Sequence, residues 1–184
     1  MKLNKSILLL ACTMVGVACT NSSVERKEFL ELKTEFERFR DKEQIVALSN
    51  VYSDAAALQD KKLFQSLWAE NSKWIIGPPI NKTFKGRDSI ANAFENLLSD
   101  WEFFVQLNTS FNVDLSEDGK TATANFYLNE IARNAKMSNY NIASYKDSLI
   151  KKDGKWLFKT REYKVIYLDT TALAGQAFQR VENQ

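Results

Sequence analysis

YKDSLIKKDGKWLFKTR, residues 145–161, decides the fold. Asp153-Gly154 readily takes the positive-φ conformations of a tight hairpin. Strand-forming residues flank it, with Tyr145, Leu149 and Ile150 before the turn and Trp156, Leu157 and Phe158 after it. Two registers compete. A two-residue turn pairs Lys152 with Lys155 and sets Lys146 opposite Arg161. A three-residue loop, with Gly154 as the left-handed bulge residue, pairs Lys151 with Lys155, Asp147 with Lys159 and Tyr145 with Arg161. Opposite charges across a ladder gain roughly 0.2–1 kcal/mol and like charges lose as much, so the bulged register is preferred. It gathers Tyr145, Asp147, Lys159, Arg161 and Tyr163 on one surface.

Working outward, residues 102–115 alternate with period two, Asp118-Gly119 marks a second turn, and Thr121 to Ala132 returns as a strand. Arg133 to Tyr140 reads as a polar loop. The hairpin's last strand runs toward Leu168, and 170–184 carries a weak helical pattern of Leu173, Ala177, Phe178 and Val181. Helical periodicity dominates the first half. Phe29, Leu32, Phe36 and Phe39 stripe one helix over 24–41, which is expected to be covered by its own domain or by a twin copy. Asp41 is positioned to cap a second helix, 43–58. A short helix follows at 61–68, a strand at 72–76, a break at Gly77-Pro78-Pro79, a polar loop to Gly86 and a third helix at 87–101. Helices first and a meandering antiparallel sheet second indicate an α+β domain.

The first 18 residues stand apart. Lys2 and Lys5 precede an apolar run, Ile7 to Ala18, that is too short for a span of about 20 residues but suits a secretory signal. Cleavage before Cys19 leaves a thiol at the new N-terminus, followed by the tether-like Thr20-Asn21-Ser22-Ser23. This resembles a bacterial lipoprotein signal, with Gly16 where the usual box carries Leu or Val. Cys12, after Leu9-Leu10-Ala11, fits the box but leaves a very short apolar region. The expected organisation is a signal peptide (1–18), a lipidated tether and amphipathic helix (19–40), a domain (41–168) and a C-terminal tail (169–184). The expected location is the bacterial cell envelope, on the periplasmic side or at the outer membrane, with the membrane reached through lipid on Cys19. The leader holds two of the 25 basic residues and none of the 23 acidic ones, so the remainder balances 23 against 23. No basic excess is left to attract nucleic acid. The chain has no histidine, and both cysteines lie at or before the cleavage site. The body therefore lacks the commonest general base, the commonest zinc ligand and any thiol nucleophile. Lys85-Gly86-Arg87-Asp88 lacks the pattern of a phosphate loop, and the acids have no metal-cage spacing. No metal or cofactor is expected.

Four stretches together carry a resemblance: VYSDAAALQDKKLFQSLWAENSKW (51–74), FKGRDSI (84–90), NTSFNVDLSEDGKTATANFYL (108–128) and the hairpin. From about Asp41 to Leu168 the chain resembles the SnoaL-like branch of the nuclear-transport-factor-2-like superfamily. The resemblance implies a bent antiparallel sheet wrapped around helices as a cone, with a pocket between them. Its relatives include dehydratases, isomerases, cyclases, hydrolases and plain binding domains, so fold alone supplies no function. Dehydratase-type members use a Tyr, an Asp five residues on, a His four before an Asn, and a late Arg. Here Tyr52 matches the Tyr, Ala57 stands at the Asp position, Asn108-x-x-x-Asn112 replaces the His motif, and Arg161 matches the Arg.

The remaining inventory suits orienting a ligand: Tyr52, Trp74, Asn108, Asn112, Tyr127, Tyr145 and Arg161 are the candidate ligand-binding residues. Asp147 is the one plausible base. In the preferred register it is salt-bridged beside Lys159, which favours a structural role. The reading is an exported, lipid-anchored domain that holds a small apolar ligand in an interior without its usual proton carriers, with a homodimer as a possible assembly. One alternative is a dehydratase or isomerase using Tyr52, Asp147 and Arg161. The other is an interaction module that docks a partner on the Phe29–Phe39 helix.

Overall fold

The computed structural model describes residues 5–178, with side chains from residue 23. The chain divides after Arg40 into two compact units. Helix α1 (Lys5–Leu58) begins in the first and ends in the second. No Gly or Pro interrupts residues 24–58, so nothing breaks the helix at Asp41. The expected start of a new helix capped by Asp41 is corrected, because the residue lies within α1. Asp41 is buried and accepts from Lys151 Nζ at 2.6 Å and Trp156 Nε1 at 3.2 Å. Phe29, Leu32, Phe36 and Phe39 are exposed on α1. The side chains of the proposed leader, Cys19 included, lie outside the described residues. Among the described residues no helix is long and apolar enough to cross a membrane.

In the second unit α1 ends at Gln59, whose φ of 53° turns the chain. Asp60 caps α2 (Lys61–Ser66) by accepting from Leu63 N at 2.9 Å. Strands β1 (Trp68–Ile76) and β2 (Lys82–Lys85) follow. The second of these occupies what reads in sequence as a loop. Then come α3 (Arg87–Leu98), β3 (Phe103–Leu115), β4 (Thr121–Arg133), β5 (Ser138–Lys152) and β6 (Lys155–Asp169). Residues 170–178 have no regular structure, and Val181 of the expected helical pattern lies outside the described residues.

The six strands form one sheet in the order β2-β1-β6-β5-β4-β3, giving the expected α+β class. Every pairing is antiparallel except β1 with β6. Along β4 the even-numbered side chains Ala122, Ala124, Phe126, Leu128, Glu130 and Ala132 are buried, the period of a half-covered strand. Ala122, Ala124, Phe126 and Leu128 pack with Ile45 and Tyr52 of α1, Phe64 of α2, and Ile90 and Phe94 of α3 in one core. Phe64 stacks on Phe94 with ring centroids 3.8 Å apart.

The hairpin corrects the preferred register. Asp153 and Gly154 have φ of 51° and 77°, and Lys152 pairs with Lys155, so the turn has two residues. Lys159 is then squeezed out as a bulge between the pairs Leu149–Phe158 and Ser148–Thr160. The bulge carries Arg161 to the inner face, opposite Asp147, and sends Lys159 outward to donate to Asn71 O at 2.6 Å. Neither simple register contains this pairing. The ion pair, inside a protein, outweighs the adjacent Lys–Lys pair at the exposed turn.

Candidate functional site

Residues 122–132 and 141–149 present their inner side chains toward α1–α3, and a cavity of about 370 Å³ remains between these layers. That volume falls in the usual range for small-molecule sites. Most of its wall is apolar, with Ala56 from α1, Trp74 and Ile76 from β1, Phe94, Leu97 and Leu98 from α3, and Phe104 from β3. Gln106, Glu130, Asn141, Tyr145, Tyr163 and Tyr52 supply the polar part.

These polar groups form one network. Glu130 Oε2 accepts from Gln106 Nε2 at 2.7 Å and from the Tyr163 hydroxyl at 3.2 Å, while Oε1 accepts from Asn141 Nδ2 at 2.7 Å. Gln106 Nε2 also donates to the Tyr145 hydroxyl at 2.9 Å, which lies 3.4 Å from that of Tyr52. Glu130 is buried, and every group bonded to it is neutral. Burial raises the Glu130 carboxyl above its ordinary value, against the pull of the three donors. Burial also lifts Tyr52 to about 12 and Tyr145 well above its ordinary value, so both hydroxyls keep their protons at neutral pH. Asn141 Oδ1 and Trp74 Nε1 are buried without a hydrogen-bond partner.

Behind the tyrosines lies a second charged centre. Arg161 is fully buried. Its Nε and Nη2 each donate to Asp147 at 3.0 Å, and Nη2 donates to Ser49 Oγ at 2.9 Å. The guanidinium sits 3.8 Å from the ring centroid of Tyr145 and 4.2 Å from those of Tyr52 and Phe158, a cation enclosed by aromatic faces. Burial pushes Asp147 up to about 6, with the Arg161 guanidinium opposing it.

The candidate residues therefore separate. Tyr52, Trp74 and Tyr145 line the cavity, whereas Asp147 and Arg161 do not. Asn108 is held between strand and helix, donating to Ser49 O, Asn50 Oδ1 and Ser53 Oγ. Asn112 and Tyr127 are exposed. Glu130, Gln106 and Asn141 are the residues that sequence reasoning missed. The expectation of an interior stripped of proton carriers is corrected by Glu130. Parity was the available signal: Glu130 continues the run Ala122, Ala124, Phe126, Leu128, and Asn141 continues Ala143, Tyr145, Asp147. Among the described residues no group of three His, Cys, Asp or Glu could hold a metal ion.

Solved structures share this architecture. A hexachlorocyclohexane dehydrochlorinase of type 2 superimposes with a TM-score of 0.69 at 17% identity, covering 80% of this chain and 98% of that one. The type 3 dehydrochlorinase from Novosphingobium barchaimii gives 0.68 at 17%, covering 79% and 99%. A nuclear-transport-factor-2-like protein with a cystatin-like fold from Novosphingobium aromaticivorans gives 0.63 at 20%, covering 73% and 88%. At these identities the likeness is one of fold. No curated protein matches the chain in sequence. The SnoaL-like domain profile matches residues 37–162, and with that match over most of its length the chain belongs to the SnoaL-like family.

Proposed function

We propose that the cavity binds a small, neutral, largely apolar molecule carrying one hydrogen-bonding group, and that Glu130 moves a proton on it in an elimination or isomerisation. The observation that carries this reading is a buried carboxylate with no cation bonded to it, at the polar end of an apolar cavity. A general base needs a carboxyl lifted toward neutrality by burial. The neighbouring hydroxyls of Tyr52 and Tyr145 remain protonated and able to donate. Asn141, a lining residue, carries a buried Oδ1 without a hydrogen-bond partner. The dehydrochlorinase neighbours of the same fold catalyse an elimination by name, which is compatible with this class of chemistry.

Two measurements test the reading. 2-Naphthol, an apolar bicycle with one hydroxyl, is expected to bind saturably by fluorescence. 2-Tetralone is expected to exchange its acidic protons for deuterium faster than in buffer, by proton NMR. Glu130→Gln should lower the exchange rate about 100-fold or more. A protein that binds naphthol but exchanges tetralone no faster than buffer fits the second reading, a binding domain in which the three donors hold Glu130 as a fixed acceptor. Failure to bind either probe removes the pocket reading.

We propose further that residues 1–18 direct export and that Cys19 carries lipid, placing the domain at a bacterial envelope membrane. Supporting this are the paired lysines, the apolar run and the cysteine that follows it.

A further inference from the structure

The apolar stripe of α1 is a seam with a register. Phe29, Leu32, Phe36 and Phe39 recur at intervals of three, four and three, the a and d positions of two heptads. They are 65%, 64%, 61% and 60% exposed, on a helix that holds them rigidly in line. A row of large apolar side chains this open requires a partner.

The charges beside the row identify that partner. With Phe29 and Phe36 at a, the preceding g positions are Glu28 and Glu35, and the e positions after Leu32 and Phe39 are Lys33 and Arg40. In a parallel pair each g residue meets the e residue five positions later on the other helix. Glu28 then faces Lys33 and Glu35 faces Arg40, twice each by symmetry. Antiparallel pairing would bring g to g and e to e, setting acid against acid and base against base. The sequence thus complements itself in one orientation and opposes the other. Lys33 already lies 4.0 Å from Glu37 within its own helix, an exposed contact weak enough to exchange for an intermolecular one.

We propose that residues 28–40 of α1 form a parallel, in-register coiled coil with a second copy of this chain. The seam ends where the pattern ends, at Glu25, the preceding d position, and at Glu43, the following a position. This inference is independent of the pocket chemistry.

The test uses the full chain with Cys12→Ser and Cys19→Ser, so that an introduced cysteine is the sole thiol. Leu32→Cys, at a seam position, is expected to give a disulfide-linked dimer under mild oxidation at least about tenfold faster than Thr34→Cys on the opposite face. Adding Glu28→Lys and Glu35→Lys to the Leu32→Cys chain should slow its cross-linking about tenfold or more. Mixing that variant with a Leu32→Cys chain bearing Lys33→Glu and Arg40→Glu should restore it. Equal rates for the Leu32→Cys and Thr34→Cys chains, indifference to the charge changes, or a monomer at all concentrations would each overturn the proposal. So would loss of cross-linking in the Leu32→Cys chain when phosphatidylcholine vesicles are added, which would assign the stripe to a lipid surface.

Discussion

Arg161 and Asp147 show what a buried charge demands of its neighbours. Replacing Arg161 by Met leaves the Asp147 carboxylate buried without its cation, a change that costs about 3–5 kcal/mol when one partner of a buried pair is lost. Urea denaturation at pH 7 should show that loss. Asp147 already sits at about 6 against an ordinary 3.8, and removing its cation raises it further. A carboxyl raised in this way favours the fold below its unfolded value, and the contribution disappears as pH rises through the folded one. The Arg161→Met deficit should therefore shrink as pH falls from 7 toward 4. Adding Asp147→Leu should recover most of it at pH 7. A deficit that is independent of pH would show that the lost packing of Arg161, and not the stranded carboxylate, is responsible. Site residues were only half legible in the sequence. Tyr52 could be named because it matches the Tyr that the family resemblance implies, and Trp74 and Tyr145 because aromatic residues on strands facing a core stand out. Glu130 was passed over because an acid on a strand suggests the surface, although the parity of Ala122, Ala124, Phe126 and Leu128 carries its position inward. Arg161 was named through the late Arg of the family resemblance, but its place opposite Asp147 depends on a one-residue bulge that no local pattern announces.

At the scale of elements, the tight turn between β5 and β6 sets the inward parity on both strands. Gly154 lies at φ 77°, where an added Cβ meets no atom within 4 Å, so conformation alone penalises a side chain there. Gly154→Ala should cost about 1–2 kcal/mol, read from the urea midpoint, with the pocket unchanged in naphthol binding. A loss of binding alongside stability would mean that the turn governs register as well as folding. The hairpin, the β3–β4 pair and the three helices of the second unit were legible from periodicity. β2 was not, because its four residues, three of them polar, form too short a run to read as a strand and become one only by pairing with β1. The parallel contact of β1 with β6 likewise has no local signature. It is created when the chain, having passed through β2, α3 and three more strands, returns beside β1. A broken helix was expected at Asp41 because an acid before an apolar run reads as a cap. The ammonium and indole that claim that carboxylate lie 110 and 115 residues away.

The chain carries a striped helix, a hollow body and the leader proposed above, and each can be tested in the presence of the others. Lipid on Cys19, as proposed, predicts that the chain expressed in a Gram-negative host incorporates an alkyne-palmitate label and pellets with membranes. Cys19→Ala should remove the label, whereas Cys12→Ala should leave it in place. Label that follows Cys12 would move the cleavage site instead. The body itself contains no cysteine or histidine, so neither thiol exchange nor imidazole titration complicates any of these measurements. The fully enclosed cation of that body has a further consequence for how the molecule is assembled. The guanidinium meets its counter-ion, 14 residues away in sequence, only when the two strands close with the extra residue squeezed out at the right place. A hairpin zipped one step out of line would strand a naked charge in a greasy interior and be driven open again. The buried pair thus proofreads the zipper, rejecting near-miss alignments that hydrophobic matching alone would tolerate.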